Sequence, residues 1–354
     1  MRKLFITGES GMLATSIIKA LEQSGQERFE VMDNSDIAEY TNEFSYLNGK
    51  LVKAKEVNVT DREALKKVQD RLTKDDIIIH TAAYVNTDKC DDFSYEAVNS
   101  NIISTQYLID VANAVDCKMI YFSTTAVFDP DEYMKNNGVF DETASIDPKT
   151  LYGLSKYSGE LATKQSIDFE KGMVIKPVFI YGDAPFDNSS MIRKITEKVY
   201  CDMNNIPYTL SPLNEDGKLD VLLNPGIEKD YMRYEYFADM FLELLLMDNG
   251  WGYDFIISKD APVPFANYLY IIEEITGCDD LSNHINLIPE GDYLERHNGI
   301  SKNFYKLFQH YQLPVAAYNN KEGITKTYKS IVEHYEGSNK TNRKTVKQTR
   351  QFHI

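Results

Sequence analysis

The stretch Thr150-Leu-Tyr-Gly-Leu-Ser-Lys156 sets a phenol and an ammonium four places apart. On a helix, positions i and i+4 share a face, so Tyr152 and Lys156 read as a pair. A secondary alcohol and a ketone interconvert when a hydride moves on carbon and a proton moves on oxygen, and a nicotinamide can carry the hydride. A free phenol, with a pKa of about 10, exchanges protons poorly near neutrality. A neighbouring cation favours the phenolate and brings it into range. A second Tyr-x-x-x-Lys, Tyr46 and Lys50, straddles Asn48-Gly49, a turn signal that interrupts a helix, and is set aside.

A hydride carrier needs its own binding site, and the N-terminal segment KLFITGESGMLATSII reads as strand, glycine turn, helix. Gly8 allows the sharp turn, a side chain at Gly11 would obstruct a diphosphate, and the small Ala14 lets helix and strand pack closely. The positive helix end then favours the anion. Asp33 ends the next strand, where a carboxylate can accept from both ribose hydroxyls. A 2′-phosphate there would meet negative charge, and DNSDIAE contains no cation, so NAD(H) is expected rather than NADP(H).

Around these residues, short apolar runs at 4–7, 29–32, 51–52, 77–80, 119–122 and 173–175 alternate with helical patterns near 11–24, 61–73, 94–115 and 151–169. This alternation predicts an α/β doubly wound parallel sheet, covered on both faces, with a smaller C-terminal lobe. The expected division is a Rossmann domain over 1–176 carrying the Tyr/Lys site, a mostly substrate-binding lobe over 177–336, and a basic, disordered tail over 337–354. That tail holds Lys340, Arg343, Lys344, Lys347 and Arg350 and no acid.

The net charge of −16 argues against nucleic-acid or anionic-lipid partners. Four scattered cysteines and six histidines form no metal-ligand spacing, so no metal is expected. No signal peptide or membrane span is apparent, and the expected location is the cytoplasm.

The motifs together resemble the extended short-chain dehydrogenase/reductase family, which acts mostly on nucleotide-activated sugars. The resemblance spans roughly 1–335 and rests on TGESGMLA, Asn58-Val59-Thr60-Asp61, IIIHTAAY, NIIST, FSTTAVFD, YGLSK, KPVFIYG and KDYMRYEYFAD, in order. It implies cofactor contacts from Gly8, Ser10, Gly11, Met12, Leu13, Asp33, Asn58, Val59, Ala82, Ala83, Tyr84, Asn101, Tyr152, Lys156 and Phe179. It also implies that Lys156 bonds the nicotinamide ribose, that Thr124 aligns the sugar oxygen with Tyr152, and that a homodimer is possible. Substrate contacts would come from Thr124 and Thr125, with Arg193 and Arg233 as candidate partners of the substrate diphosphate.

Three departures bear on the reaction. The family's dehydratases carry Asp-Glu after the catalytic hydroxyl, whereas Thr125 and Ala126 stand here and disfavour 4,6-dehydration. Epimerases have an asparagine where Phe179 stands, and an aromatic there resembles the 4-keto-sugar reductases of the dTDP-4-dehydrorhamnose reductase type. The KDYMRYEYFAD segment is nearer the epimerases, with Lys229 in place of their arginine. The reading is therefore an NAD(H)-dependent 4-keto-sugar reductase, with an NDP-sugar 4-epimerase or a non-catalytic regulatory subunit as alternatives.

Overall fold

The computed structural model describes residues 1–47, 50–85, 94–129, 139–168, 170–183, 190–222, 228–258, 262–288, 298–299 and 319–349. Its centre is a six-stranded sheet of β1 (Arg2–Thr7), β2 (Phe29–Val31), β5 (Ile77–His80), β6 (Lys118–Phe122), β8 (Gly172–Pro177) and β13 (Asp254–Ile257). The order is β13-β8-β6-β5-β1-β2, and every pairing is parallel. Helices α1 (Met12–Gln23), α2 (Arg62–Gln69), α4 (Ser104–Val115) and α5 (Leu151–Ser166) link or cover the strands.

The strands read as continuous apolar runs because both faces are buried. Leu4, Ile6, Ile77, Ile79, Ile120 and Phe122 point into one core with Ile17 and Leu21 of α1. Phe5, Ile78 and Met119 point into the other, with Leu65, Val68, Leu108 and Ala112 of α2 and α4. Each fully buried aliphatic or aromatic chain contributes about 1.5–3 kcal/mol. Strand order reverses between β1 and β5, and ligands of such sheets bind in the crevice at the carboxyl ends of the strands there.

Two expectations need correction here. The run at Leu51-Val52 does not join the sheet: β3 (Glu39–Leu47) and β4 (Lys50–Glu56) form an antiparallel hairpin of their own. Leu47 pairs with Lys50, so the sequence's turn signal, Asn48-Gly49, falls between the two strands and outside the described residues. Nor does the chain leave the sheet at 176. Helix α7 (Tyr234–Met247) packs Phe237, Phe241 and Leu244 into the first core, and β13 adds the sixth strand beside β8.

The second lobe is built from α6 (Met191–Met203), α8 (Phe265–Thr276) and the long α9 (Asn320–Thr349) around Tyr181, Ile195, Val199, Phe265, Ile272 and Ile324. Helix α9 continues through 337 to Thr349, where the sequence suggests a disordered tail.

Helix α5 carries Tyr152 and Lys156. Thr150 opens it by accepting from Gly153 N–H at 3.0 Å. Two glycines inside a helix cost about 1 kcal/mol each, and close packing explains them. A Cβ at Gly153 would sit 2.5 Å from Ala126 O. At Gly159 it would sit 2.8 Å from Tyr121 Cζ and 3.0 Å from Asn101 O. Gly159→Ala should therefore push α5 off β6 and destabilise the protein by about 2 kcal/mol in urea denaturation. An unchanged midpoint would show that the helix yields freely.

Candidate active site

The glycine turn occupies the reversal point of the sheet. Gly8 has φ +66, and Gly11 N–H donates to Gly8 O at 2.9 Å. A Cβ on Gly8 would lie 3.0 Å from Ala82 Cα, so the turn at the end of β1 rests directly on the segment that follows β5. Thr7 fastens the two: its Oγ1 accepts from Ala82 N–H at 3.0 Å, and its carbonyl accepts from Thr81 Oγ1 at 2.6 Å. Gly11 is the N-cap of α1, no side chain caps that end, and its first turn holds no acid. The helix N-terminus with Met12 and Leu13 is thus suited to an anion such as a dinucleotide diphosphate.

Beside this turn stands an acidic wall that the sequence reading did not anticipate. Ser10 N–H donates to Glu56 Oε1 at 2.7 Å, so a carboxylate at the end of β4 reaches the glycine turn. Burial pushes the Glu9 carboxyl up to about 7; Glu56 and Asp33 add to the rise, and Asn34 opposes it. Asp33 is exposed beyond β2, and its Oδ1 accepts from Ser35 N–H at 2.9 Å, which holds the carboxyl below its usual range. The cation that DNSDIAE lacks comes from elsewhere: Arg71 donates to Asp36 Oδ1 at 2.9 Å and to Asp33 O at 3.4 Å. Asn58 is exposed and makes a local turn, its Oδ1 accepting from Thr60 N–H at 3.0 Å and Thr60 Oγ1 at 2.8 Å. Val59 is half-buried against the second core.

At the other end of the crevice, Tyr152 is half-buried and Lys156 is 3% exposed. The Lys156 Nζ lies 4.4 Å from the centre of the Tyr121 ring, and Tyr121 OH donates to Lys156 O at 3.0 Å. Burial pulls the Lys156 ammonium down to about 7, with Glu160 working against that pull. The Tyr121 hydroxyl is raised well above its ordinary range by burial, then by Tyr152 and Glu160. Thr124 ends the β6 segment and caps a short turn, Thr125–Val127, by accepting from Ala126 N–H at 3.2 Å. Since a Cβ on Gly153 would meet Ala126 O, the first turn of α5 packs on this turn. Thr125 is buried beneath it, less open to a substrate than the sequence suggests.

Asn101 lies in a π-helical turn, Asn99–Ile103, ahead of α4. Its Oδ1 accepts from Tyr84 N–H at 2.7 Å, and its Nδ2 donates to Tyr84 O at 3.0 Å and Ser155 Oγ at 2.9 Å. It thereby clamps the Ala82-Ala83-Tyr84 segment to the helix of Tyr152. His80, which the sequence reading did not single out, links β5 to β1 and α4: Nδ1 lies 2.9 Å from Thr7 Oγ1, and Nε2 lies 3.0 Å from Thr105 Oγ1. Thr105 Oγ1 donates to Asn101 O at 2.8 Å, so it accepts from His80 Nε2–H. Burial, then Lys156, pull the imidazole down to about 3 and keep it neutral.

Phe179 follows β8, half-buried, with its ring 4.9 Å from Lys229 Nζ and 5.3 Å from the Tyr231 ring. The two candidate arginines are placed otherwise than the sequence suggests. Arg193 is 1% exposed on α6 and pairs with Glu197. Arg233 is buried, with its guanidinium on Glu235 at 2.7 Å, Asp183 at 2.7 Å and Thr327 at 2.7 Å, joining the 181–183 turn to α9. A buried cation must be paired, and both arginines are held by their own lobe.

Glu9 holds a proton in the folded state that the unfolded chain releases above its ordinary 4.5. Stability should therefore fall as pH rises through the window from 4.5 to about 7. Glu9→Gln should flatten that fall and gain on the order of 1 kcal/mol at pH 8, after allowance for partial exposure. Superimposable denaturation curves across this range would show that Glu9 is solvated.

The protein-family model for the RmlD substrate binding domain matches residues 1–200. Over 343 residues the chain is 24% identical to a Methanocaldococcus jannaschii protein described as an uncharacterized membrane protein, covering 93% of this chain and 96% of that one. Among the described residues here, no helix is long and apolar enough to cross a membrane. It is 30% identical over 160 residues to the dTDP-4-dehydrorhamnose reductase of Aggregatibacter actinomycetemcomitans, covering 45% of this chain and about half (46%) of that enzyme. In fold it is similar to a dTDP-4-dehydrorhamnose reductase from Clostridium acetobutylicum, with a TM-score of 0.64 at 18% identity over 92% of this chain and 98% of that chain. It is similar also to UDP-glucose 4-epimerase of Thermotoga maritima, with a TM-score of 0.69 at 19% identity over 94% and 99%. With the family model spanning more than half of its length, the chain belongs to the extended short-chain dehydrogenase/reductase family, in its RmlD-like branch.

Proposed function

We propose that this protein is a nicotinamide-dinucleotide-dependent oxidoreductase that works at C4 of a nucleotide-activated sugar, reducing a 4-keto group. The observation that carries the reading is the buried Lys156 ammonium one helical turn from Tyr152, on a helix that Asn101 ties to the segment resting on the glycine turn. The activities of the similar proteins, sugar-nucleotide reductases and an epimerase, support the same class.

When bound, the dinucleotide supplies or accepts the hydride. The amides at the start of α1 hold its diphosphate, and Asp33 takes the adenosine ribose hydroxyls. Asp33 and Glu56 oppose a 2′-phosphate, and Glu9 joins them once it ionises above about pH 7, which favours NAD(H). Tyr152 delivers the proton to the carbonyl oxygen in reduction and removes it in oxidation. Lys156 lowers the phenol into working range, and Thr124 orients the sugar oxygen. Phe179 bounds the nicotinamide side, in keeping with a reductase. The epimerase reading retains support from the Thermotoga maritima likeness. Leu154 and Leu161 are exposed on α5, and Val98 and Ile103 are exposed close by in sequence to Asn101. This apolar surface supports a homodimer through the helix of the catalytic pair.

NADH consumption with a 4-keto sugar nucleotide would establish the reductase. Interconversion of UDP-hexose C4 isomers without net NADH change would establish the epimerase, and dinucleotide binding with neither activity a regulatory subunit. Tyr152→Phe should lower turnover by about 10²–10⁴-fold with dinucleotide affinity nearly unchanged, and a fully active variant would remove the phenol from the mechanism. Asp33→Ala should weaken NAD(H) by about tenfold and NADP(H) by less. Equal losses in titration calorimetry would show that the ribose lies elsewhere.

A further inference from the structure

Behind the Tyr152–Lys156 pair lies a buried charge cluster that proton transfer by itself does not call for. Glu160 stands one turn beyond Lys156 on α5 and is 1% exposed. Its Oε2 accepts from Ser123 Oγ at 2.7 Å, and Ser123 immediately precedes Thr124. Its Oε1 accepts from Lys176 Nζ at 2.9 Å and Lys164 Nζ at 2.6 Å. Asp254 at the start of β13 shares both lysines, at 3.0 Å and 2.5 Å. Replacing buried ions by apolar groups is often neutral or stabilising, so stability alone does not account for the cluster.

Three ammonium groups, on Lys156, Lys164 and Lys176, face two carboxylates, on Glu160 and Asp254. Lys164 and Lys176 are paired directly. Among the described residues, Lys156 has no carboxylate within ion-pair distance and rests on the face of Tyr121. With the Tyr152 phenol protonated, the other titratable groups around Lys156 among the described residues bring no negative charge. His80, from β5, is neutral and hydrogen-bonded on both ring nitrogens; Tyr121, from β6, donates to the Lys156 carbonyl; Tyr152, on the same helix, is the phenol itself. That leaves Glu160 as the anion whose field reaches Lys156, weakened by the two lysines that share it.

We propose that Glu160 is a positioning residue that keeps the Lys156 ammonium charged and, through Ser123, ties that charge to the strand end bearing Thr124. This rests on the reading of Lys156 as the cation that activates Tyr152. The direction of the Lys156 shift agrees, with burial lowering it and Glu160 opposing. Two substitutions should then act with opposite sign. Removing the Glu160 charge leaves Lys156 with burial alone and makes it a weaker base. Removing Lys164, which is 39% exposed, frees more of the carboxylate field for Lys156 and makes it a stronger base.

The test is a pH titration of ¹³Cε-lysine NMR signals in the full-length protein, with the Lys156 signal assigned by its loss in Lys156→Arg. The wild-type midpoint should lie near 7. Glu160→Gln should lower it by about one pH unit, and Lys164→Gln should raise it. An unmoved midpoint in Glu160→Gln, or shifts of the same sign in both variants, would overturn the proposal. If Glu160→Gln does not fold, Lys164→Gln decides: a raised midpoint supports the assignment, and an unmoved or lowered one sinks it. The readout needs neither dinucleotide nor sugar. Shifts of the expected signs in a protein without turnover would therefore overturn the oxidoreductase reading and leave the electrostatic one standing.

Discussion

An ammonium taken out of water loses its hydration and gives up its proton more readily. Lys156 is almost wholly buried, yet it lies against the face of an aromatic ring rather than against a carboxylate. Its charge therefore survives through the fields of its surroundings: the negative face of Tyr121 and the Glu160 carboxylate one turn away. A lysine paired directly to an acid would have its charge neutralised locally. One held at this distance keeps an unbalanced positive charge, and that is the condition under which a nearby phenol ionises.

The rest of the fold can be understood as the means of holding that charge beside a diphosphate site. Strand order reverses between β1 and β5, which opens the crevice at their carboxyl ends. Contact between Gly8 and Ala82 closes its floor, and Thr7 fastens the two strand ends together. From there the connection runs through side chains: His80 to Thr105, and Asn101 from Tyr84 to Ser155 on α5. The glycine in the middle of α5 permits the helix to lie against Tyr121. The glycine turn and the helix of Tyr152 and Lys156 are thus joined by a short buried hydrogen-bonded path.

The acidic end follows a different logic. Glu9, Glu56 and Asp33 gather beside the glycine turn, and burial of Glu9 makes its ionisation costly. One member, Glu56, arrives on a hairpin that stands apart from the main sheet. Two cations reach the same stretch: Arg71 is held by Asp36, and Lys55 donates to the Ser35 carbonyl. The local charge is therefore set by residues from three separate stretches of chain, which is why a single strand-end aspartate gives only part of the picture.

Much was legible in order and spacing alone. The apolar runs and the glycine turn determined a parallel sheet with a glycine turn leading into the first helix, because periodicity and backbone freedom are properties of neighbouring residues. The four-residue spacing of Tyr152 and Lys156 put them on one helical face for the same reason. What lay beyond the sequence were relations between distant segments. The sequence offers Arg193 and Arg233 as partners of a substrate diphosphate, yet both are buried and paired with carboxylates of the protein. The strand at 254–257 and helix α7 return to the first core from far along the chain. Glu160 and His80 acquire meaning only when Ser123, Lys176, Thr7 and Thr105 are brought to within 3.0 Å of them. Burial and charge coupling act through space, so only the tertiary structure could decide which ions face the crevice and which are locked inside.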